Sequence, residues 1–274
     1  MYGNQQQQYN PGQPVQMQGG VVQGTPVGMA QMEQGPNGYG KMPVSQVPPE
    51  VRSDFIRKVY SLLTIQLFVT FGIALYMNTQ LTVYWVKTHM GIYYLASFGT
   101  LGVMLAVSCC CADAMRTFPT NYAFLAFLTF GMSVVVGFAT VMYTTESVLL
   151  ALATTAGVFL VLTFYACVTK TDFTGLGPYL FAGLCALSMF GFMMMLWSFF
   201  TGAPLVGTMI HKVYAGAGVV LFTFYIIYDT QLIVGGDHKK HQFDVDDYVF
   251  AAVALYLDII NMFMFLLELM GDRR

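Results

Sequence analysis

Two carboxylates in apolar surroundings are the side chains best placed to do chemistry in this sequence. Asp229 lies six residues before Gly235, and Asp258 lies ten residues after Tyr248, each inside a long non-polar run. An ionisable group at the centre of a membrane span costs ~2.5 kcal/mol or more on insertion scales, so its presence needs a reason. Residues 235–247 join the two runs as a hairpin, so both carboxylates enter from the same side, roughly 9 and 15 Å deep at a helical rise. If they face each other, two charges in a poorly hydrated site are unfavourable, and the pair is expected to share a proton. Loss of that proton would admit a cation, and oxygen ligands suit Ca²⁺. The structural alternative is that each Asp hydrogen-bonds a neighbouring helix as interhelical glue.

Other polar groups are read against the same two alternatives. Asn261 falls one turn beyond Asp258 on the same face, as a second layer around the carboxylates or as glue. Arg116 follows the second apolar run on the side where Asp229 is expected. It could pair with that carboxylate and close a pore, or simply mark the positive side of the membrane. Glu146 opens the fourth run as Thr144-Thr145-Glu146, where a helix N-terminus favours negative charge. Glu268, near the end of the last run, can reach the interface. Cys109, Cys110 and Cys111 lack the spacing of a zinc site and are either S-palmitoylation sites or small buried thiols. The loop from His238 to His241 reads as a solvated turn, and Met193, Met194 and Met195 as packing.

The elements that must position these residues are membrane helices. Charged residues make up 9% of the chain and hydrophobic ones 56%, and the mean hydropathy is +0.60. Soluble domains carry about 25% charged residues to face water. Apolar runs occupy about 59–77, 91–111, 121–143, 147–168, 176–200, 213–234 and 248–270. Each is near or above the ~20 residues that cross a ~30 Å hydrocarbon core. Lipid offers no backbone hydrogen bonds, so runs of this length are helices, giving an all-α polytopic protein with the bilayer as its main partner. With the N-terminus cytosolic, eight of the twelve Lys and Arg residues lie on the inner side and four on the outer, which is the favoured orientation.

Residues 1–49 hold 11 Gln, 9 Gly and 7 of the 10 prolines. Such a segment cannot bury enough apolar surface to offset its chain entropy, so a disordered cytosolic tail is expected before a membrane domain over 50–274. It lacks the basic and apolar regions of a signal peptide. A formal charge of −2 argues against nucleic acid. Protein partners could bind the tail, which keeps open a non-conducting interaction protein that regulates a partner channel or death receptor. An intramembrane aspartyl protease is disfavoured, because Asp258 follows Leu255-Tyr256-Leu257 rather than a Gly-x-Gly setting. A rhodopsin-like receptor is disfavoured by the missing Asp-Arg-Tyr and Asn-Pro-x-x-Tyr motifs. No enzyme activity and no cofactor are expected; calcium would be cargo.

Tyr228-Asp229-Thr230-Gln231 followed by Leu255-Tyr256-Leu257-Asp258-Ile259-Ile260-Asn261 resembles the Bax-inhibitor family of membrane proteins, in its lifeguard branch. Phe55 to Tyr60 and Thr169 to Thr174 resemble the same branch, and the likeness covers about 50–274. It implies seven helices, with two three-helix layers around a central C-terminal helix. It also implies a pH-sensitive Ca²⁺ leak from an internal store, with the aspartate pair on Asp229 and Asp258, and suppression of cell death. Endoplasmic reticulum or Golgi is the implied membrane, with endolysosome or plasma membrane as alternatives. Bacterial members carry a latch arginine after the second helix, whose counterpart is Arg116, although the arginine run there is replaced by Ala112-Asp113-Ala114-Met115-Arg116.

Overall fold

The computed structural model describes residues 42–110, 115–201, 208–235 and 241–274. Among them are eight α-helices: α1 (Pro49–Gln80), α2 (Val83–Thr88), α3 (Met90–Cys110), α4 (Thr120–Val141), α5 (Thr145–Val168), α6 (Gly177–Thr201), α7 (Thr208–Val234) and α8 (Tyr248–Met270). Seven are long and apolar enough to cross a membrane; α2 is the exception. Their outward faces carry large apolar side chains such as Phe68, Leu95, Phe164 and Phe200. A surface of that kind is stable only against lipid, so the protein is integral to a membrane.

Local chemistry sets the helix ends. Pro49 opens α1, where its fixed φ and missing N–H cost nothing. The helix begins ten residues before the expected apolar run, because Arg52 to Lys58 continue it as a polar first stretch. Thr144 caps α5, its hydroxyl accepting from Ser147 N at 3.3 Å, and Glu146 sits in the first turn as the dipole favours. Gly235 ends α7 at φ +62°, a left-handed conformation that a side chain would strain. The short α2 was not foreseen in the first polar spacer; Thr82 caps it by accepting from Trp85 N at 3.2 Å.

The last helix is the core. Two thirds of the most apolar stretch of α8 (67%) is buried, against 11% for α6. It packs on α1, α4, α5 and α7, while α3 leans on α4 and α6 on α7. The layers are therefore α1, α3, α4 and α5, α6, α7, with α8 between them, as the resemblance implied. Small residues Ala251, Ala252 and Ala254 in the first half of α8 let neighbouring backbones approach closely.

Residues 1–41 of the expected tail lie outside the described residues. The remainder, 42–48, is docked rather than loose. Val44 is fully buried, Val44 N donates to Phe243 O at 3.1 Å, and Val245 N donates to Met42 O at 3.1 Å. This short antiparallel pairing stitches the root of the tail to the α7–α8 connection. Its cause is local composition: Met42, Val44 and Val47 are apolar, whereas the Gln- and Gly-rich stretch before them is not. Below, the face of the molecule carrying this connection is the hairpin face, and the one carrying Arg274 is the terminal face.

Candidate functional site

α7 and α8 pack against each other along most of their length, and this brings Asp229 and Asp258 together. Both are buried, at 6% and 5% exposure, and their carboxyl groups lie within hydrogen-bonding reach of each other. The second oxygen of Asp258, Oδ2, is buried and has no hydrogen-bond partner. Two buried carboxyls can share a bond only if one of them carries the proton that donates it. The sequence reading placed them about one turn apart in depth and entering from the same side, and the packing of α7 on α8 leaves their carboxyls within reach of each other.

The hairpin face of this pair is built by side chains whose role was not anticipated. Gln231, two residues after Asp229 and fully buried, holds the α5–α6 connection. Its Oε1 accepts from Phe173 N at 2.8 Å, and its Nε2 donates to Thr171 O at 2.9 Å. Thr174 Oγ1 donates to Asp172 Oδ1 at 2.7 Å and accepts from His241 N at 3.2 Å. Arg52 Nη2 reaches Gly235 O at 3.4 Å. Both ends of the hairpin are thereby tied to α1, to the α5–α6 connection and to the tail root. The one available signal was the adjacency of a buried-type amide, Gln231, to Asp229.

Arg116 is placed differently from the expected pairing. Its Nε donates to Asp247 Oδ1 at 2.7 Å and its Nη2 to Asp247 Oδ2 at 3.2 Å, so it engages the residue just before α8 rather than Asp229. Asp247 is reachable from the interface, and a guanidinium there avoids the desolvation that Asp229 would demand. Asn261 Nδ2 donates to Leu257 O at 2.8 Å within its own helix rather than to either carboxylate. Glu268 lies 3.7 Å from His211 Nδ1 near the terminal face.

Cys109, Cys167 and Cys185 are exposed rather than buried, because their helix faces point outward. The side chains of Cys110 and Cys111, and the loop at 236–240, lie outside the described residues. Met194 is buried but Met193 and Met195 are not, so only the first packs inside. Among the described residues no three His, Cys, Asp or Glu side chains cluster as metal ligands. Two carboxyls fall short of the six to eight oxygens Ca²⁺ takes, so a cation here would need water and backbone carbonyls as well.

The sequence profile of the family described as "Inhibitor of apoptosis-promoting Bax1" matches residues 52–274. The chain is 35% identical over 229 residues to Protein lifeguard 3 of Homo sapiens, covering 82% of this chain and 70% of that protein. It is 33% identical to Protein lifeguard 3 of Mus musculus over the same share of this chain and 71% of that protein. It is also 31% identical to Bax inhibitor 1 of Schizosaccharomyces pombe, over 84% of this chain and 80% of that one. The profile match over most of the chain and these likenesses show that the chain belongs to the Bax-inhibitor family of integral membrane proteins.

Proposed function

We propose that this protein is a slow Ca²⁺ leak of an intracellular membrane, gated by protonation of the Asp229–Asp258 pair. The observation that carries the reading is the unpartnered Oδ2 of Asp258, buried beside a second carboxyl. Unmet buried acceptors occur at neutral side chains as well, Gln66 Oε1 among them; what sets Asp258 apart is that it can ionise and sits beside a second buried carboxyl. At low pH the pair holds its proton, the carboxyls bind each other, and the site has little to offer a cation. As pH rises the proton is lost, and the negative charge left behind is relieved by a divalent ion. Flux therefore increases with pH. Suppression of cell death, the activity in the family's description, follows as the cellular outcome of a lower store content. The membrane is endoplasmic reticulum or Golgi, with the hairpin face and tail cytosolic.

Purified protein in dye-loaded liposomes tests this. Wild type should admit Ca²⁺ increasingly from about pH 6 to about pH 8, and Asp229→Asn/Asp258→Asn should lose at least tenfold of that flux and its pH dependence. Equal flux in both proteins rejects the mechanism.

A second reading draws on the docked tail root. Residues 42–45 are hydrogen-bonded to the hairpin connection, so a partner pulling on the tail would act directly on α7 and α8. In a non-conducting regulator of that kind, deletion of residues 1–41 abolishes the cellular effect while liposomes stay tight.

A further inference from the structure

The interface between α7 and α8 continues well beyond the aspartates. On α7, Asp229, Tyr225, Phe222, Gly218, Tyr214 and His211 recur at spacings of three or four; on α8, Asp258, Asn261, Phe265 and Glu268 do the same. Such spacing places each set on one helix face. Side-chain contacts confirm that the two faces meet. Tyr225 packs its ring on Phe222 at 5.7 Å, one turn from Asp229 on the same face. The ring of Phe265 stacks at 5.8 Å on Phe222 and meets Tyr214 edge-on at 5.6 Å. At the far end His211 meets Glu268. The seam is thus polar at both ends and aromatic between them.

Phe265 lies flat on the backbone of Gly218, where an added Cβ would stand 2.6 Å from three of its ring atoms. From the terminal face, a cavity of ≈ 550 Å³ runs inward until it reaches Met264 and Phe265. Its mouth carries Lys87, Glu268, Arg273 and Arg274. Glu268 therefore faces Lys87 from α2 and two arginines from the chain end, besides His211 from α7. These cations offset its charge and make the cavity a polar-mouthed vestibule ill suited to a resident cation. Beyond the ring, Asp258 is seven residues along α8, roughly 10 Å.

We propose that Phe265, seated on Gly218, is the hydrophobic closure that separates the aspartate pair from the terminal-face vestibule. The proposal rests on the pair lying on a cation path. A hydrated ion arriving at the vestibule floor meets the apolar side chains of Met142, Met264 and Phe265, with Phe222 and Tyr214 packed behind the Phe265 ring, and apolar constrictions exclude ions in this way. The absence of a Cβ at Gly218 is what lets the ring fill the seam. Opening requires the ring to leave that seat, while the carboxyl pair decides whether a cation is held once it does.

The test uses the full chain in Ca²⁺-loaded liposomes, comparing wild type, Phe265→Ala and the Asp229→Asn/Asp258→Asn variant alone and combined with Phe265→Ala. Phe265→Ala should raise Ca²⁺ flux at least threefold with the pH midpoint unchanged, and the gain should vanish in the combined variant. In parallel, Asn261→Cys in a chain whose five cysteines are replaced by Ala is challenged with a membrane-impermeant methanethiosulfonate. It should be protected when Phe265 is present and labelled when it is Ala. Should Phe265→Ala not remain monodisperse, Phe265→Leu gives a smaller gain in the same direction. Wild-type flux and unchanged protection in a folded Phe265 variant overturn the closure. If the aspartate variant is silent at the same time, the leak reading survives that loss. A gain that persists without the aspartates also overturns it, and equal conduction by wild type and the aspartate variant removes the underlying reading instead.

Discussion

Among the interfaces that bury polar side chains in the membrane core, two do so in opposite ways. Between α1, α4 and α8 the groups answer one another. Thr70 and Tyr256 share a hydrogen bond of 2.8 Å, Ser133 donates to Thr70 at 3.1 Å, and Gln66 Nε2 donates to Thr129 at 3.2 Å. Asn78 donates to the carbonyls of Thr140 and Tyr143 at 2.6 and 3.0 Å, where α4 ends. Between α7 and α8 the polar groups are ionisable and incompletely matched, with Asp258 Oδ2 idle. Gln66 Oε1 is also unmatched, but as a neutral amide it cannot change charge. Burial of polarity alone therefore does not single out the proposed site; what distinguishes the α7–α8 pair is that its buried groups can change their charge.

The comparison breaks most sharply if the two interfaces respond alike to substitution. The largest effect expected is functional. Asp229→Asn/Asp258→Asn should abolish flux as described above while leaving stability within about 1 kcal/mol of wild type, since amides can still bond each other across the seam. Unfolding in mixed micelles measures the second half of that statement. A loss of several kcal/mol would return the pair to a structural role.

Next comes Asn78→Ala. Asn78 is fully buried and also accepts from Thr145 Oγ1 at 2.8 Å, while its backbone carbonyl accepts from Arg274 Nη1 at 3.0 Å. Losing its amide leaves Tyr143 O unmet and removes one bond each from Thr140 O and Thr145 Oγ1, which keep Tyr143 N and Arg274 Nη2 as partners, at about 1–3 kcal/mol. The pH dependence of flux should not move. A shifted midpoint would show that the two interfaces are coupled rather than separate in purpose.

The smallest effect belongs to Arg116→Gln. The Arg116–Asp247 pair is partly exposed, with side chains 36% and 13% accessible, and pairs of this kind contribute about 0–1 kcal/mol. Stability should fall by no more than that, and the difference should fade in high salt. A large, salt-resistant change in flux would instead make this arginine a latch on the head of α8.

Much of this architecture was legible from local pattern. Runs of about twenty apolar residues can only be helices in lipid, and a carboxylate inside such a run stands out on energetic grounds. That is why the seven spans and the Asp229–Asp258 pair could be read directly. What escaped was set by contacts between residues far apart in sequence. The docking of Val44 against Phe243 depends on a loop two hundred residues away. Gln231 resembles any interfacial amide until the Thr169–Thr174 connection folds over it. Arg116 found Asp247 because interhelical geometry, not spacing, decides which carboxylate is near. The vestibule ending on Phe265 was invisible for the same reason, although the spacing of Asp258, Asn261, Phe265 and Glu268 already placed them on one stripe.

In the proposed mechanism one proton is held between Asp229 and Asp258 and is exchanged for a cation. Infrared difference spectroscopy of the reconstituted protein reads that proton directly, through the carbonyl stretch of a buried carboxylic acid. The account predicts a protonated-carboxyl band that disappears when pH is raised or Ca²⁺ is added, and that is absent throughout from Asp229→Asn/Asp258→Asn. A band indifferent to both pH and Ca²⁺, or one that persists in the double variant, would contradict it.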